Sequence, residues 1–233
     1  MTAERDFDSF EKKLELTFKD KALLKQAFVH RSYINENKSN DLSHNERLEF
    51  LGDAVLELIA TDYLFKKYQD KPEGELTAYR SALVNSVTLS KVAAELGIND
   101  FLFLSHGESK DTGRARQYIM ADAIEALIGA IYIDQGYDIA KMFIEKNILF
   151  LIDDIVSQKS WLDAKSFLQE TAQEKVGSTP LYKTLRENGP DHDKHFTVGV
   201  FLGNDMAGTG EGKSKQEAEQ DAARKALEDK GWL

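Results

Sequence analysis

The chain has 233 residues, 42% of them hydrophobic and 30% charged, with 15 Gly, 3 Pro and no Cys. This balance excludes a disordered, collagen-like or low-complexity protein and leaves room for one large domain or two small ones, at roughly 150 residues per domain. With 30 Lys and Arg against 40 Asp and Glu the formal net charge is −10, which excludes a generally basic surface, so any contact with nucleic acid must rest on local patches.

From Phe7 to about Ser157 the apolar spacing is helical. Leu23, Leu24, Ala27 and Phe28 recur at helix intervals, as do Leu48, Leu51, Val55 and Leu58. The stretch Leu76 to Leu96 has neither Gly nor Pro and predicts one long helix ended by Gly97. Ala115 to Asp134 is apolar on nearly every face, as expected of a central buried helix, and Tyr137 to Val156 predicts another. About seven helices with no hairpin signal predict an all-α domain over residues 7–136, with a helical extension to about 157. The longest apolar run, Ala126 to Ile133, falls far short of the ~20 residues a membrane span needs. Met1-Thr-Ala-Glu-Arg-Asp-Phe7 has no apolar signal core, and the lack of Cys removes disulfides and thiolate metal sites. A cytoplasmic protein without membrane contact is expected.

At Ser157-Gln-Lys-Ser160 the periodicity breaks, predicting a linker at 158–162. A second domain, 163–232, follows a different grammar. Ala164 to Val176 reads as a helix stopped by Gly177, with Pro180 beyond. Leu181 to Leu185 and Phe196 to Leu202 alternate like strands, Gly203-Asn204 is a two-residue hairpin signal, and a short third strand follows. Ser214 to Leu227 is then a helix. The order α-β-β-β-α predicts a compact α+β domain with two helices on one face of a three-stranded sheet.

The chemistry lies in carboxylates. In Asn45-Glu-Arg-Leu-Glu-Phe-Leu-Gly-Asp53, the residues Glu46, Glu49 and Asp53 are spaced i, i+3, i+7 and fall on one helix stripe. By itself such a stripe is commonly a solvated face, but Gly52 beside Asp53 costs roughly 1 kcal/mol relative to Ala in a helix and suggests close approach by another backbone or a ligand. Asp122 and Glu125 form a second pair at i, i+3. Either they start a helix as a capping box, or two carboxylates sit in the most apolar helix of the chain, where anions need a partner or a metal. No Lys or Arg lies between Arg116 and Lys141 to pair with them locally. If Glu49, Asp53, Asp122 and Glu125 converge, they make an all-oxygen cluster suited to Mg²⁺, with Mn²⁺ as a substitute. His30 and His44 read as structural histidines, and Ser32 lacks a third group for a triad.

The segment His44-Asn-Glu-Arg-Leu-Glu-Phe-Leu-Gly-Asp-Ala-Val-Leu56 resembles the signature of the bacterial ribonuclease III family. Phe28-Val-His-Arg-Ser-Tyr33, Glu73-Gly-Glu-Leu76 and Ala121-Asp-Ala-Ile-Glu-Ala-Leu-Ile-Gly129 resemble further motifs of that family, in family order. The resemblance implies Asp53 and Glu125 as catalytic residues, and Glu49, Asp122 and Glu125, with Asp53, as metal-holding carboxylates. It places Glu46 and Glu73 as acidic supports of a cleavage valley and Phe50 as a contact in a homodimer.

Downstream, Asp163-Ala-Lys-Ser-Phe-Leu-Gln-Glu170, Gly189-Pro-Asp-His192 and Gly210 to Ala223 resemble the double-stranded-RNA-binding domain. Such domains read duplex shape through two minor grooves and the phosphates between them. Gln169 and Gln173 suit one groove, His192 another, and Lys213 and Lys215 at a helix start suit phosphate. Ala207 to Ser214 falls one Gly short of a phosphate-binding loop, yet too little chain follows for the remaining sheet, so no nucleotide cofactor is expected.

The expected activity is thus a Mg²⁺-dependent endoribonuclease that hydrolyses phosphodiesters in double-stranded RNA. It would leave 5′-phosphates and short 3′ overhangs on ribosomal RNA precursors and structured messenger and transfer RNA transcripts. Two other readings remain open: a noncatalytic dimer that binds duplex RNA, and a metal-dependent hydrolase of small phosphate esters.

Overall fold

In a computed structural model of the chain, which describes residues 5–37, 42–159, 161–190 and 194–232, the polypeptide separates into two units, Met1–Trp161 and Leu162–Leu233. The first is helical: α1 (Phe7–Leu14), α2 (Lys21–Ala27), α3 (Arg31–Glu36), α4 (Glu46–Lys67), α5 (Glu73–Val84), α6 (Ser86–Glu95), α7 (His106–Lys110), α8 (Arg114–Gln135), α9 (Tyr137–Asn147) and α10 (Ile152–Ser157). The predicted central helix is α8. Ala123, Ile124, Ala126, Leu127, Ile128, Ala130 and Ile131 are wholly buried, because α2, α4, α6 and α9 all pack around it.

Two glycines decide how α4 lies on α8. A Cβ on Gly52 would stand 2.7 Å from the Glu125 carbonyl carbon and 2.8 Å from the Gly129 nitrogen. A Cβ on Gly129 would stand 3.0 Å from the Leu48 carbonyl carbon and 3.1 Å from the Gly52 nitrogen. The contacts are reciprocal and fall on backbone, which cannot rotate aside. The helices therefore touch main chain to main chain, and the cost of Gly in a helix interior is offset by the close packing it permits.

Where α4 begins is fixed by a buried polar residue. Asn45, 3% exposed, donates its side-chain amide to the Ala27 carbonyl at 3.1 Å and its backbone N–H to the Val29 carbonyl. The turn between α2 and α3 is thereby tied to the first turn of α4, and Val29 forms a parallel bridge with Phe103.

Two expected helices are broken. The run Leu76–Leu96 divides into α5 and α6 at Asn85, which is extended at ψ 159°. Its side chain accepts from the Thr88 N–H at 2.9 Å and donates to the carbonyls of Ser81 and Ala82. One amide thus serves both helix ends, a break that needs neither Gly nor Pro. The run Tyr137–Val156 divides at Ile148 (φ −125°, ψ −53°) and a 3₁₀ turn, Leu149–Leu151. Gly97 follows α6 in the left-handed region at φ 75°. Within the expected linker 158–162, the ring of Trp161 packs edge-on against Tyr79 at 4.9 Å.

The second unit runs α11 (Ala164–Val176), β1 (Pro180–Asn188), β2 (His195–Leu202), β3 (Asp205–Gly212) and α12 (Lys215–Asp229), an antiparallel sheet in the order β1-β2-β3. The third strand is as long as the second rather than short. Its alternate residues Gly208, Gly210 and Gly212 face α12. A Cβ at these positions would meet backbone at Ala222 and Ala226, at Ala222, and at Ala218, respectively. The glycines that gave the phosphate-loop likeness therefore have a packing reason: period two on a strand meets an alanine ridge at i, i+4, i+8 on a helix.

Gly52→Ala should gain about 1 kcal/mol of helix propensity and lose more to overpacking against backbone, for a net loss of about 2 kcal/mol and a fall in Tm of about 4–8 °C. Gly74→Ala, with nothing near its Cβ position, should leave Tm unchanged or raise it. Equal behaviour of the two variants in thermal unfolding would refute the backbone contact.

Candidate functional site

The crossing at Gly52 and Gly129 sets two acidic segments beside each other. On α4, Glu49 lies one turn before Gly52 and Asp53 directly after it; on α8, Asp122 and Glu125 lie about two turns and one turn before Gly129. Glu49, Asp122 and Glu125 each offer a carboxylate oxygen, and these three oxygens lie within 4.8 Å of one another. Asp122 is not a helix N-cap: α8 starts at Arg114, two turns earlier, so the carboxylates project from mid-helix. All three are half-buried, and no Lys, Arg or His pairs with them among the described residues.

The electrostatics follow from this crowding. Burial, then the charges of Asp53, Asp122 and Glu49, push the Glu125 carboxyl up to about 8. Burial, then Asp122, Glu46 and Asp53, push Glu49 up to about 7. Asp122 is raised by burial and by Glu46. Converging carboxylates with raised pKa values and no counter-ion are what a hard divalent cation would relieve. The donor set fits such an ion: all oxygen, with no sulfur and no imidazole.

Asp53 is exposed. It stands outside the three-oxygen group while acting on Glu49 and Glu125 through space. Glu46 is also exposed and lies 3.5 Å from Arg31 and 3.7 Å from His44. It lines a hollow of about 600 Å³ with Glu49, Asp122, His30, Arg31 and Tyr118. Glu73 is not brought to this hollow. At the start of α5 it accepts from the Thr77 hydroxyl at 3.0 Å and borders a separate hollow with Leu64, Phe65, Leu76 and Arg80. Phe50 points away from the core and is 81% exposed.

His30 caps α3, its Nδ1 accepting from the Ser32 N–H at 3.3 Å and lying 2.8 Å from the Ser32 hydroxyl. Burial lowers its pKa, with the Glu108 charge opposing. The structural reading of His30 thus accounts for one ring nitrogen, but the residue also borders the acidic hollow. The signal for that lay in Phe28 to Tyr33, a segment that Asn45 ties to α4. Tyr118 went unremarked in the sequence because it precedes the acidic pair by one helical turn and belongs to no quoted motif.

In the second unit Gln169 and Gln173 are exposed on α11, each directly following a buried residue, Leu168 and Ala172. Lys213 and Lys215 are exposed around Ser214, the N-cap of α12, which accepts from the Glu217 N–H at 3.1 Å. His192 lies outside the described residues.

For the acidic cluster the sign of the pH dependence is fixed. Carboxyls raised in the folded state hold protons there that the unfolded chain has released, so metal-free stability falls as pH rises from about 4.5 through about 8. A bound cation requires the deprotonated forms, so the rise in Tm caused by Mg²⁺ should grow over the same window, and binding near pH 7 should release about one proton. Thermal unfolding with Mg²⁺ or with EDTA, and titration calorimetry in buffers of different ionisation enthalpy, measure both. A Mg²⁺ effect independent of pH would contradict the cluster.

The chain matches two family models: Ribonuclease-III-like over residues 20–152 and the double-stranded RNA binding motif over residues 164–230. It is 44% identical over 215 residues to Ribonuclease 3 of Pelotomaculum thermopropionicum, covering 92% of this chain and 89% of that one. It is 44% identical over 227 residues to Ribonuclease 3 of Clostridium acetobutylicum, covering 97% and 98%. Among solved structures it is similar to the nuclease domain of ribonuclease III from Campylobacter jejuni, described for flexibility in a region involved in dimer formation. That match has a TM-score of 0.55 and 41% identity, and covers 61% of this chain and 98% of that one. With a family model spanning more than half of it and relatives matching nearly its whole length, the chain belongs to the ribonuclease III family, an endoribonuclease with a double-stranded-RNA-binding domain.

Proposed function

We propose that the chain acts as a homodimer that cleaves double-stranded RNA in a Mg²⁺-dependent reaction, with Mn²⁺ able to substitute. The observation that carries this reading is the convergence of Glu49, Asp122 and Glu125 oxygens within 4.8 Å, in one chain with a fold for binding duplex RNA. These three carboxylates would hold the ion, with Asp53 and Glu46 at the rim. When bound, a divalent ion of this kind polarises a phosphoryl oxygen and lowers the pKa of water.

The protein's own part is placement and charge. Glu49, Asp122 and Glu125 share a backbone-locked crossing, so their spacing is fixed before substrate arrives, which lowers the reorganisation the reaction requires. Asp53, beside them on the exposed side, is a charged group at the site's edge and suits a catalytic role with Glu125. Hydrolysis at the P–O3′ bond leaves 5′-phosphates, and cuts offset between strands leave short 3′ overhangs. Gln169, Gln173, Lys213 and Lys215, with His192, supply the grip on the duplex, so a chain of net negative charge still binds RNA through one small face. Ribosomal RNA precursors and structured messenger and transfer RNA transcripts in the cytoplasm are the proposed substrates; no helix among the described residues is long and apolar enough to cross a membrane.

Dimerisation is supported by α4. Phe50, Leu58 and Phe65, 81%, 59% and 70% exposed, lie along one face of this helix at spacings of eight and seven residues. In an antiparallel pairing of two α4 helices centred near Leu58, Phe50 of each protomer would meet the other at the hollow beside Phe65. That hollow is bordered by Glu73, so the pairing would give Glu73 a place near the second protomer's α4 start, which it lacks within one chain. Three exposed large apolar side chains aligned on one helix face suit an interaction surface.

Incubating the protein with a long RNA duplex in Mg²⁺ or in EDTA, with mapping of product ends, tests the central reading. Cleavage in Mg²⁺ alone, with 5′-phosphate ends, is expected. Glu125→Gln should abolish cleavage while duplex affinity stays within about twofold; binding with no Mg²⁺-dependent cleavage by the unaltered protein would favour the noncatalytic binder. For the dimer, Phe50→Ala should remove a hot-spot contact twice over, about 4 kcal/mol in all, and weaken association roughly a thousandfold. Sedimentation at micromolar concentration reads this out, and an unchanged dimer would exclude Phe50 from the interface.

A further inference from the structure

The face of α8 that carries Asp122 and Glu125 continues towards the helix start with Tyr118 and Arg114. At 100° per residue the positions 114, 118, 122 and 125 fall within one narrow stripe. Tyr118 is 44% exposed and borders the hollow of about 600 Å³ that also contains Glu49 and Asp122, and its hydroxyl has no hydrogen-bond partner among the described residues. The Arg114 guanidinium carbon lies 5.8 Å from the centre of the Tyr118 ring, a cation–π distance.

The two arginines at this helix start have different employments. Arg116 is committed to the fold: it donates to the Asp111 carbonyl at 3.2 Å, to Asn99 Oδ1 at 3.0 Å and to the Glu108 carbonyl at 2.7 Å. Arg114 is exposed and makes no ion pair or hydrogen bond among the described residues. Beside a hollow whose lining includes Glu46, Glu49, Glu108 and Asp122 together with Arg31 and His30, a cation resting on an aromatic ring has no evident structural task.

Four residues of α-helix advance about 6 Å, comparable with the step between successive phosphates on one RNA strand. A scissile phosphate at the level of Asp122 would therefore have its neighbour near Tyr118 and the next near Arg114. We propose that Tyr118 and Arg114 are positioning residues that hold the sugar-phosphate backbone of the strand being cut, the Tyr118 hydroxyl donating a hydrogen bond and Arg114 neutralising a phosphate. This rests on the duplex-RNA nuclease reading above and adds two residues to it. The ring of Tyr118, which borders the hollow, would serve as a platform for the exposed Arg114 at its edge.

The test uses the full-length protein with an RNA duplex in Mg²⁺, comparing the unaltered chain with Arg114→Ala, Arg114→Lys, Tyr118→Phe and Tyr118→Leu. Arg114→Ala should raise KM about tenfold with kcat within twofold, and reduce the slope of log affinity against log salt by about one; Arg114→Lys should restore most of that slope. Tyr118→Phe should lower kcat/KM about fivefold by removing one hydrogen bond, and Tyr118→Leu should additionally lower the salt slope by freeing Arg114. Tm and Mg²⁺ affinity should stay unchanged in all four. A salt slope and KM for Arg114→Ala equal to the unaltered protein, or Tyr118→Phe with full activity, would overturn the proposal. Failure of the unaltered protein to cleave would instead count against the nuclease reading itself, so the two failures are distinct.

Discussion

The close crossing of α4 and α8 is the constraint on which the candidate site depends. Helices whose contact residues carry ordinary side chains pack with axes 8–10 Å apart. Here Gly52 and Gly129 remove the side chains from both surfaces, and backbone meets backbone. Glu49, three residues before Gly52 on α4, and Asp122 and Glu125, seven and four residues before Gly129 on α8, are then close enough for one oxygen of each to lie within 4.8 Å of the others. The raised pKa values of Glu49 and Glu125 follow directly: packing buries these carboxylates and then presses like charges together, and the free energy comes from the large apolar core that α8 buries. Fold stability and the crowding of charge therefore oppose each other at this crossing, and a bound cation, as proposed, would reconcile them.

The same principle recurs in the second unit with different elements. Gly208, Gly210 and Gly212 bring β3 onto the alanine ridge Ala218, Ala222 and Ala226 of α12. No catalytic group is placed by this contact. Instead the close seating fixes the start of α12, where Ser214 caps the helix and Lys213 and Lys215 project outward. In both units a short-range steric rule, the absence of a Cβ, places charged groups that are themselves costly to position.

The negative net charge looked at first like an obstacle to RNA binding. The distribution of charge removes it. Carboxylates gather in the α4–α8 cleft where a cation would be needed, while cations with few local partners, such as Arg114 and Lys213, stand on exposed helix starts. Average charge is a poor guide when the reaction itself requires a negative pocket.

Much of this was legible in the residues alone. Apolar periodicity identified α8 as central, the change of grammar after Ser157 separated the two units, and the i, i+3 spacings put each acidic pair on one helix face, because these are local properties of a chain with fixed helical and strand periods. The glycine beside Asp53 even hinted at close approach. Other features were beyond local reading. The division at Asn85 depends on one side chain satisfying both helix ends, an outcome that a Gly- and Pro-based rule cannot register. The convergence of Glu49 with Asp122 and Glu125, the separation of Glu73 from them, and the neighbourhood of Tyr118 depend on which helices touch and at what distance. Those are properties of packing between segments some seventy residues apart, decided only when steric fit between distant surfaces selects one crossing among many that the same periodic pattern would allow.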